Sequence, residues 1–402
     1  MHNQVLFLCR DGEVPSCFRT GVSLHGHTSH SLESLGFIGK FLRSHSALRS
    51  RMERWTEEAK RKSNIDLNFD LAYWTPPLAA EGAYELERGQ IESLGLHPIV
   101  SLSDHDNIEA STILRRSPQQ SDIPISVEWT VPFGRAVFHL GIHNIPAGIA
   151  DELMAALQEC TAAQSEQRIV NLLSELRQLP SLLVIFNHPV WNFSGVESDV
   201  FNFELTRFLQ NVGRYLDAFE LNGMRGYEEN REVIRLAAEW NQILISGGDR
   251  HACEPSVILN LTTAVDFPEF IEEVRNGRQS TVLMMPQYQR PLNWRIYEGF
   301  TQIIRDYPDH PQGRQKWNER TFHPDASGKM APLSVVWPKG SPNFLKKIFA
   351  LAALVAKAPI GSVGFMRDAH VRRMTEALTL PERPLASLMD SPQEEFAMPS
   401  AD

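Results

Sequence analysis

The 402-residue sequence predicts an α/β protein whose strands close, or nearly close, into a barrel of seven parallel strands with helices outside. Two observations predict it. From residue 20 to about 285, short β-branched runs alternate with longer stretches in which Leu, Ile and Ala recur at helical spacing. Alternation of that kind puts parallel strands inside and helices on the outer face. Residues able to bind metals also stand at the C-terminal ends of most of the seven runs, the end where a parallel barrel gathers its catalytic groups.

Taken in order, the strands fall near 22–25, 99–104, 123–128, 137–143, 182–187, 218–222 and 243–247, with helical segments at 151–179, 204–215 and 227–241. The first run, GVSLHGHTSHS, ends in His25 and His27, which alternation along a strand would turn to one face. The second, PIVSLSDHDN, ends in Asp104, His105 and Asp106, and the third, IPISVEW, in Glu128. VFHLGIH offers His139 and His143 on one face; LLVIFNHP ends in His188 and AFELNG in Glu220 and Asn222. The seventh, ILISGGDRH, ends in Asp249 and His251, behind two glycines that permit close backbone approach. Fourteen histidines scattered at random would not gather at one end of a barrel.

Composition narrows the class. A net charge of −10 argues against a general nucleic-acid coat, so no stable nucleic-acid complex is expected. Residues 1–285 carry 24 basic and 37 acidic side chains, a background suited to a cation-rich site; residues 286–402 carry 15 and 12. No stretch approaches the roughly 18 apolar residues of a membrane helix. The opening MHNQVLFLCRDGEVP lacks a basic n-region and a small-residue cleavage site, so no secretory signal is expected. Cys9, Cys17, Cys160 and Cys253 show no Cys-x-x-Cys spacing and read as reduced thiols of a cytoplasmic protein.

The barrel is expected over 1–285, with an insertion near 43–97. Within it, 43–64 carries seven Lys/Arg against three Glu and reads as a helix, solvated or capping the barrel mouth. Beyond 285 the chain turns proline-rich and polar, forming a C-terminal extension over 286–402. Its run NFLKKIFALAALVAKAP is expected to dock on the barrel, and a tail near 381–402 to be disordered.

LHGHTSHS, SLSDHDN, VEW followed by FHLG, NHP and GGDRH occur in the order found in the PHP (polymerase and histidinol phosphatase) family of metal-dependent phosphoesterases, which the sequence resembles over residues 22–251. The resemblance implies a distorted, TIM-like seven-stranded barrel carrying two or three divalent ions. It implies one ion held by His25, His27, Glu128 and Asp249, with Glu128 bridging to a second completed by His139 and His188. A third would use His105 and His251, together with Glu33, the sixth residue after His27; the fifth, Leu32, cannot ligate. Glu33 alternatively starts a helix over ESLGFIGKFL. His143 competes with His139, which the family's spacing from Glu128 favours.

Carboxylates mixed with imidazoles suit Mn²⁺, Fe²⁺ or Zn²⁺. Glu128, Asp249 and His139 are the expected catalytic groups, and no Ser or Cys nucleophile is required. Arg225, after strand six, and Arg250, between two ligands, are the candidates for substrate phosphate, although alternation turns Arg250 away. Asp104 is expected to orient neighbours and Asp106 to cap a helix. The function implied is hydrolysis of a small phosphomonoester or short nucleotide. The competing readings are a metal-dependent hydrolase of another bond and a noncatalytic scaffold.

Overall fold

The computed structural model describes residues 2–36, 68–307, 316–338 and 368–380, with scattered positions at 53–54, 56–58, 60–61, 65–66, 340 and 350. The basic segment 43–64 is described only in part. The apolar run 343–359, but for residue 350, and the tail 381–402 lie outside the described residues.

Five strands form a first sheet in the order β1 (His2–Phe7), β12 (Gln279–Met284), β11 (Ile258–Thr262), β2 (Thr20–Leu24) and β5 (His97–Ser101). A second runs β10 (Ile243–Gly247), β9 (Ala218–Asn222), β8 (Leu183–Asn187), β7 (Ala136–His143) and β6 (Val127–Phe133). A third, smaller sheet joins β14 (Met330–Pro332), β13 (Thr321–Pro324), β4 (Tyr73–Trp74) and β3 (Glu33–Ser34). Isolated bridges, Gly26–Arg250 and His105–Glu128, stitch the two large sheets at two seams. Gly248 N donates to Leu24 O at 2.8 Å across one seam, and Glu128 N to Asp104 O at 3.0 Å across the other. Strand pairing thus gives two open sheets joined by short seams, with no single closed ladder among the described residues.

The expectation of parallel strands throughout is corrected between 127 and 187, and again at β11, which pairs antiparallel with both β2 and β12. β6 and β7 pair antiparallel across a two-residue turn at Gly134-Arg135, and β7 pairs antiparallel with β8. Gly134 has φ 56°, and a Cβ there would overlap the Glu204 carboxylate, so the turn requires glycine. The third strand accordingly begins later than 123–128, with Glu128 near its start, and Pro132 is tolerated because β6 is an edge.

Helices pack on the sheets by their apolar stripes. Ile169, Leu172, Leu173 and Leu176 of Glu166–Leu176 are buried at i, i+3, i+4 and i+7. The helical stretch expected over 151–179 is two helices, Ala150–Ala163 and Glu166–Leu176, because Gln164 between them adopts a left-handed φ of 48°. Phe201 and Phe208 of Ser198–Val212 meet Phe138, and Phe208 also meets Phe186 and Phe133, with Phe138 and Phe208 ring centroids 4.6 Å apart, while Leu205 and Leu209 are buried in the same core. Each fully buried Phe contributes about 2 kcal/mol through loss of exposed apolar surface. This aromatic layer fixes β7 and β8, the strands that carry His139 and lead into His188.

Residues beyond 285 are built into the same body. The Arg295 guanidinium, in Leu292–Ile303, is buried and donates to Gly223 O and Arg225 O. β13 lies beside β4, which lies beside β3 and Glu33. Met374 and Leu378 of Asp368–Leu378 join the main core. Among the described residues no helix is long and apolar enough to cross a membrane.

Candidate metal centre

β2 ends at Leu24, and the chain then leaves extended geometry: His25 has φ 60°. His25 and His27 meet at one place because of this left-handed step and the seam beside it, not through strand alternation. His27 N donates to Arg250 O at 2.8 Å, so the loops after β2 and β10 are locked together. His188 (φ 32°) and Asp249 (φ 51°) are bent in the same left-handed sense just past β8 and β10. The paired glycines before Asp249 serve close approach, since a Cβ on Gly247 would overlap the Glu220 carboxylate, and one on Gly248 would overlap Ser256.

Glu128 lies at the centre, fully buried. Its Oε2 is 2.9 Å from His25 Nε2, 3.3 Å from His27 Nε2 and 3.2 Å from His105 Nδ1. Its Oε1 is 3.0 Å from His188 Nε2 and 3.4 Å from His139 Nδ1. Asp249 Oδ1 is 3.7 Å from His25 Nε2 and 3.5 Å from His27 Nε2. Glu33 Oε2 lies 3.2 Å from His251 Nε2 and 3.5 Å from His105 Nε2. Three groups are tight enough to hold an ion: His25, His27 and Glu128; Glu128, His105 and His139; and His27, Glu33, His105 and His251. His25 Nε2, His27 Nε2, His139 Nδ1 and Glu128 Oε2 are buried without a hydrogen-bond partner. Buried lone pairs that face one another unpaired are costly unless a cation or proton joins them, so this donor set fits divalent ions.

The electrostatics agree. Burial disfavours the Glu128 charge, yet His25, His105 and His139 hold its carboxyl well below the usual range. Asp249 is likewise held low against burial by His25, His27 and His251, with a further contribution from Arg225. Burial, joined by the neighbouring His251 charge, pushes His27 down to about 3, leaving it neutral and able to ligate. Burial also opposes the charge on His251, but Glu33 and Asp249 outweigh it and push the imidazole up to about 9. Carboxylates kept ionised beside imidazoles competing for protons is the pattern a bound cation would relieve.

All nine residues expected as ligands, from His25 to His251, fall within this cluster. His105 stands in two of the three groups, closer to Glu128 than a purely third-site role requires. Glu33 is in strand β3, not at a helix start, and accepts from Ser31 Oγ at 2.6 Å. His143 is separated from His139 by strand direction: β7 runs antiparallel, so its C-terminal end points away from the centre, where His143 Nδ1 lies 2.8 Å from Ser101 Oγ.

Arg250 does not face the cluster. Its guanidinium is buried and donates to Glu87, Ala252 O and His27 O, which ties the loop after β10 to helix Ala80–Ser93 and removes it as a phosphate ligand. Arg225 does face it, 3.5 Å from Asp249 Oδ2 and partly exposed. Asp104 accepts from Thr28 N and Thr28 Oγ1, holding the loop after His27. Asp106 caps no helix; its Oδ1 accepts from Thr130 N at 2.9 Å, and Asn107 accepts from Glu109 N at 2.6 Å instead.

Three further residues support the expected ligands: Glu220 and Asn222, which the sequence places at the end of the sixth strand, and Asn187, which it does not single out. Glu220 Oε2 lies 2.7 Å from His25 Nδ1, and Asn187 Nδ2 donates to Glu128 Oε1 at 3.0 Å. Asn222 Nδ2 donates to Asp249 Oδ2 at 3.1 Å. Period-two alternation of Glu220 and Asn222 on β9 was the available signal for two of these three. Trp191 and Phe193 flank His188 and His139, and nothing in NHPVWNF announced them.

No protein-family model matches the chain, and no curated protein matches it. Among solved structures it is similar to PsfC from Pseudomonas syringae, at 13% identity and a TM-score of 0.34, over 52% of this chain and 83% of that one. An amidohydrolase from Chromobacterium violaceum gives 13% identity and 0.31, over 44% and 84%. A candidate metal-dependent phosphoesterase from Bifidobacterium adolescentis gives 13% and 0.30, over 50% and 91%.

Proposed function

We propose that the chain is a metal-dependent phosphoesterase of the PHP type, with the two stitched sheets as its distorted barrel, acting on a small phosphomonoester or short nucleotide. The observation that carries this is Glu128, whose two oxygens face different imidazole sets, His25, His27 and His105 on one side and His139 and His188 on the other. A carboxylate so placed would serve more than one cation of such a site. Two to three divalent ions (Mn²⁺, Fe²⁺ or Zn²⁺) held by the nine residues would supply Lewis acidity and an acidified water at phosphorus.

The chain's own residues do the rest. Glu220 bonds His25 and Asn187 bonds Glu128, fixing the orientation of both. Asp249 accepts from Arg225, whose guanidinium would meet phosphoryl oxygens. A substrate anion beside an arginine favours phosphoesters over neutral amides, the runner-up chemistry. The test is a screen of metal-reconstituted protein against nucleotides, sugar phosphates, aryl phosphates and acyl amides. Phosphate release from the esters is expected; amide cleavage alone would establish the runner-up, and turnover of neither would leave a scaffold.

A further inference from the structure

Resting on that reading, we infer that Phe193, together with Trp191, selects substrates whose ester group is an aromatic ring, an aryl or nucleobase-bearing group, over small aliphatic phosphoesters. The loop from His188 to Val196 is tightly self-bonded: Trp191 N donates to His188 O, Phe193 N to Trp191 O, and Asn192 Nδ2 to Val196 O, at 2.9, 2.9 and 2.6 Å. Val137 N, on β7, donates to Ser194 Oγ at 2.7 Å and pins the loop to the strand that carries His139. The aromatic rings are therefore held in place before any ligand arrives.

What they form is a continuous strip. Trp191 lies edge-on to His188 with centroids 4.9 Å apart, and its ring carries the Arg225 guanidinium carbon 3.6 Å from its centroid. Phe193 lies 5.2 Å from Trp191 and 5.1 Å from His139, yet is 40% exposed. A large apolar ring left this open beside a cluster of buried polar groups offers a partner surface for another ring, while Arg225 and the centre take the anion. The distance from an imidazole of the cluster to Phe193 is about one aromatic ring. An aromatic ester group on this side would lay its ring against Phe193; a methyl group is too short to reach it, and a glycerol group brings hydroxyls and no ring face.

Stacking or edge contact of one ring on another corresponds to about 2- to 10-fold in affinity. The test is isothermal titration of the metal-reconstituted full chain with phenylphosphonate and methylphosphonate, which cannot be hydrolysed. The unaltered protein should bind phenylphosphonate more tightly; Phe193→Ala should cut that preference about 3- to 5-fold, and Phe193→Leu, which keeps apolar area without a ring, by less. Because methylphosphonate reports on the centre itself, the ratio remains the readout even where the alanine variant loosens the loop. An unchanged ratio in Phe193→Ala, or equal affinities in the unaltered protein, overturns the inference and leaves the phosphoesterase reading standing. Binding of neither phosphonate overturns both.

Discussion

At the residue scale, three of the proposed ligands, His25, His188 and Asp249, occupy left-handed backbone conformations that side-chain-bearing residues seldom adopt. Each costs on the order of 1–2 kcal/mol relative to ordinary geometry. The seams around them, and the bonds from Glu220 and Asn222, hold the bends in place. Asparagine tolerates this conformation as aspartate does, so Asp249→Asn isolates charge from backbone. The variant should fold normally, take up fewer ions and lose turnover; unchanged ion content on elemental analysis would place the ions elsewhere. His143 gives a second prediction, for the chelated protein. Burial pushes it down to about 3, helped by the nearby His25 charge, while the unfolded chain protonates a histidine near its ordinary 6.5. The unfolded state thus binds the extra proton, and this part of the stability is lost as pH falls below 6.5, by about 2 kcal/mol at pH 5. His143→Gln removes that contribution, so urea melts of the variant should show a shallower loss between pH 6.5 and 5. Identical slopes would mean that His143 carries none of the acid sensitivity.

At the element scale, each of the seven expected runs overlaps a strand, the third only at 127–128, and the metal-binding residue types read at their ends come together. The apolar runs were legible because strand burial on both faces leaves a dense β-branched signature. Strand direction was not. The hairpin at Gly134-Arg135 lacks the Asn-Gly or Asp-Gly pair that marks such turns most clearly, so β6 and β7 read as two parallel units. The spacing from Glu128 favours His139 over His143, and the antiparallel direction of β7 puts His143 at the strand end away from the cluster. β1, β11, β12 and the two- to four-residue strands of the small sheet went unread, the last because pairs such as Glu33-Ser34 are too short for any periodic signal. The paired glycines, by contrast, carried their meaning plainly. Gly247→Ala would drive a methyl group into Glu220 and break its bond to His25. A loss of about 1–3 kcal/mol in stability is expected from the buried carboxylate alone. Ion affinity should fall with it, and an alanine variant as stable and as well loaded as the parent would show that the close approach is not needed.

At the scale of the whole molecule, segments beyond residue 285 pack against strands and loops that precede it. The sequence beyond it changes in composition, and composition reports solvent exposure and turn content rather than contacts with distant strands; the docking expected there rested on the run 343–359, which but for residue 350 lies outside the described residues, and not on the segments that make the contacts. Two attachments reach the candidate metal centre. Arg295 clasps the carbonyls of Gly223 and Arg225, and β13 flanks β4, whose other edge is β3 with Glu33. The pairing also continues in Thr75 N, which donates to Arg320 O at 2.8 Å, and in Tyr73 stacked on Phe322 at 4.7 Å. A two-residue strand pair has too few hydrogen bonds to hold itself in water, so β3 and β4 depend on β13 for their position. Glu33 would then be placed beside His105 and His251 only while residues 317–337 are docked. A chain ending at Met285 should therefore bind about one ion fewer than the full chain, as Glu33→Ala should in the intact protein, while His105→Ala serves as a control that lowers the count in either. The truncated chain would keep the groups around Glu128, because β2, β5 and β6 to β10 all precede the cut. If the truncated chain folds, by its circular dichroism, and still matches the full chain ion for ion, Glu33 is positioned without the C-terminal strands. If Glu33→Ala alone leaves the count intact while His105→Ala lowers it, the acidic residue on β3 is no ligand, and β13 supports the rim of the site rather than an ion within it.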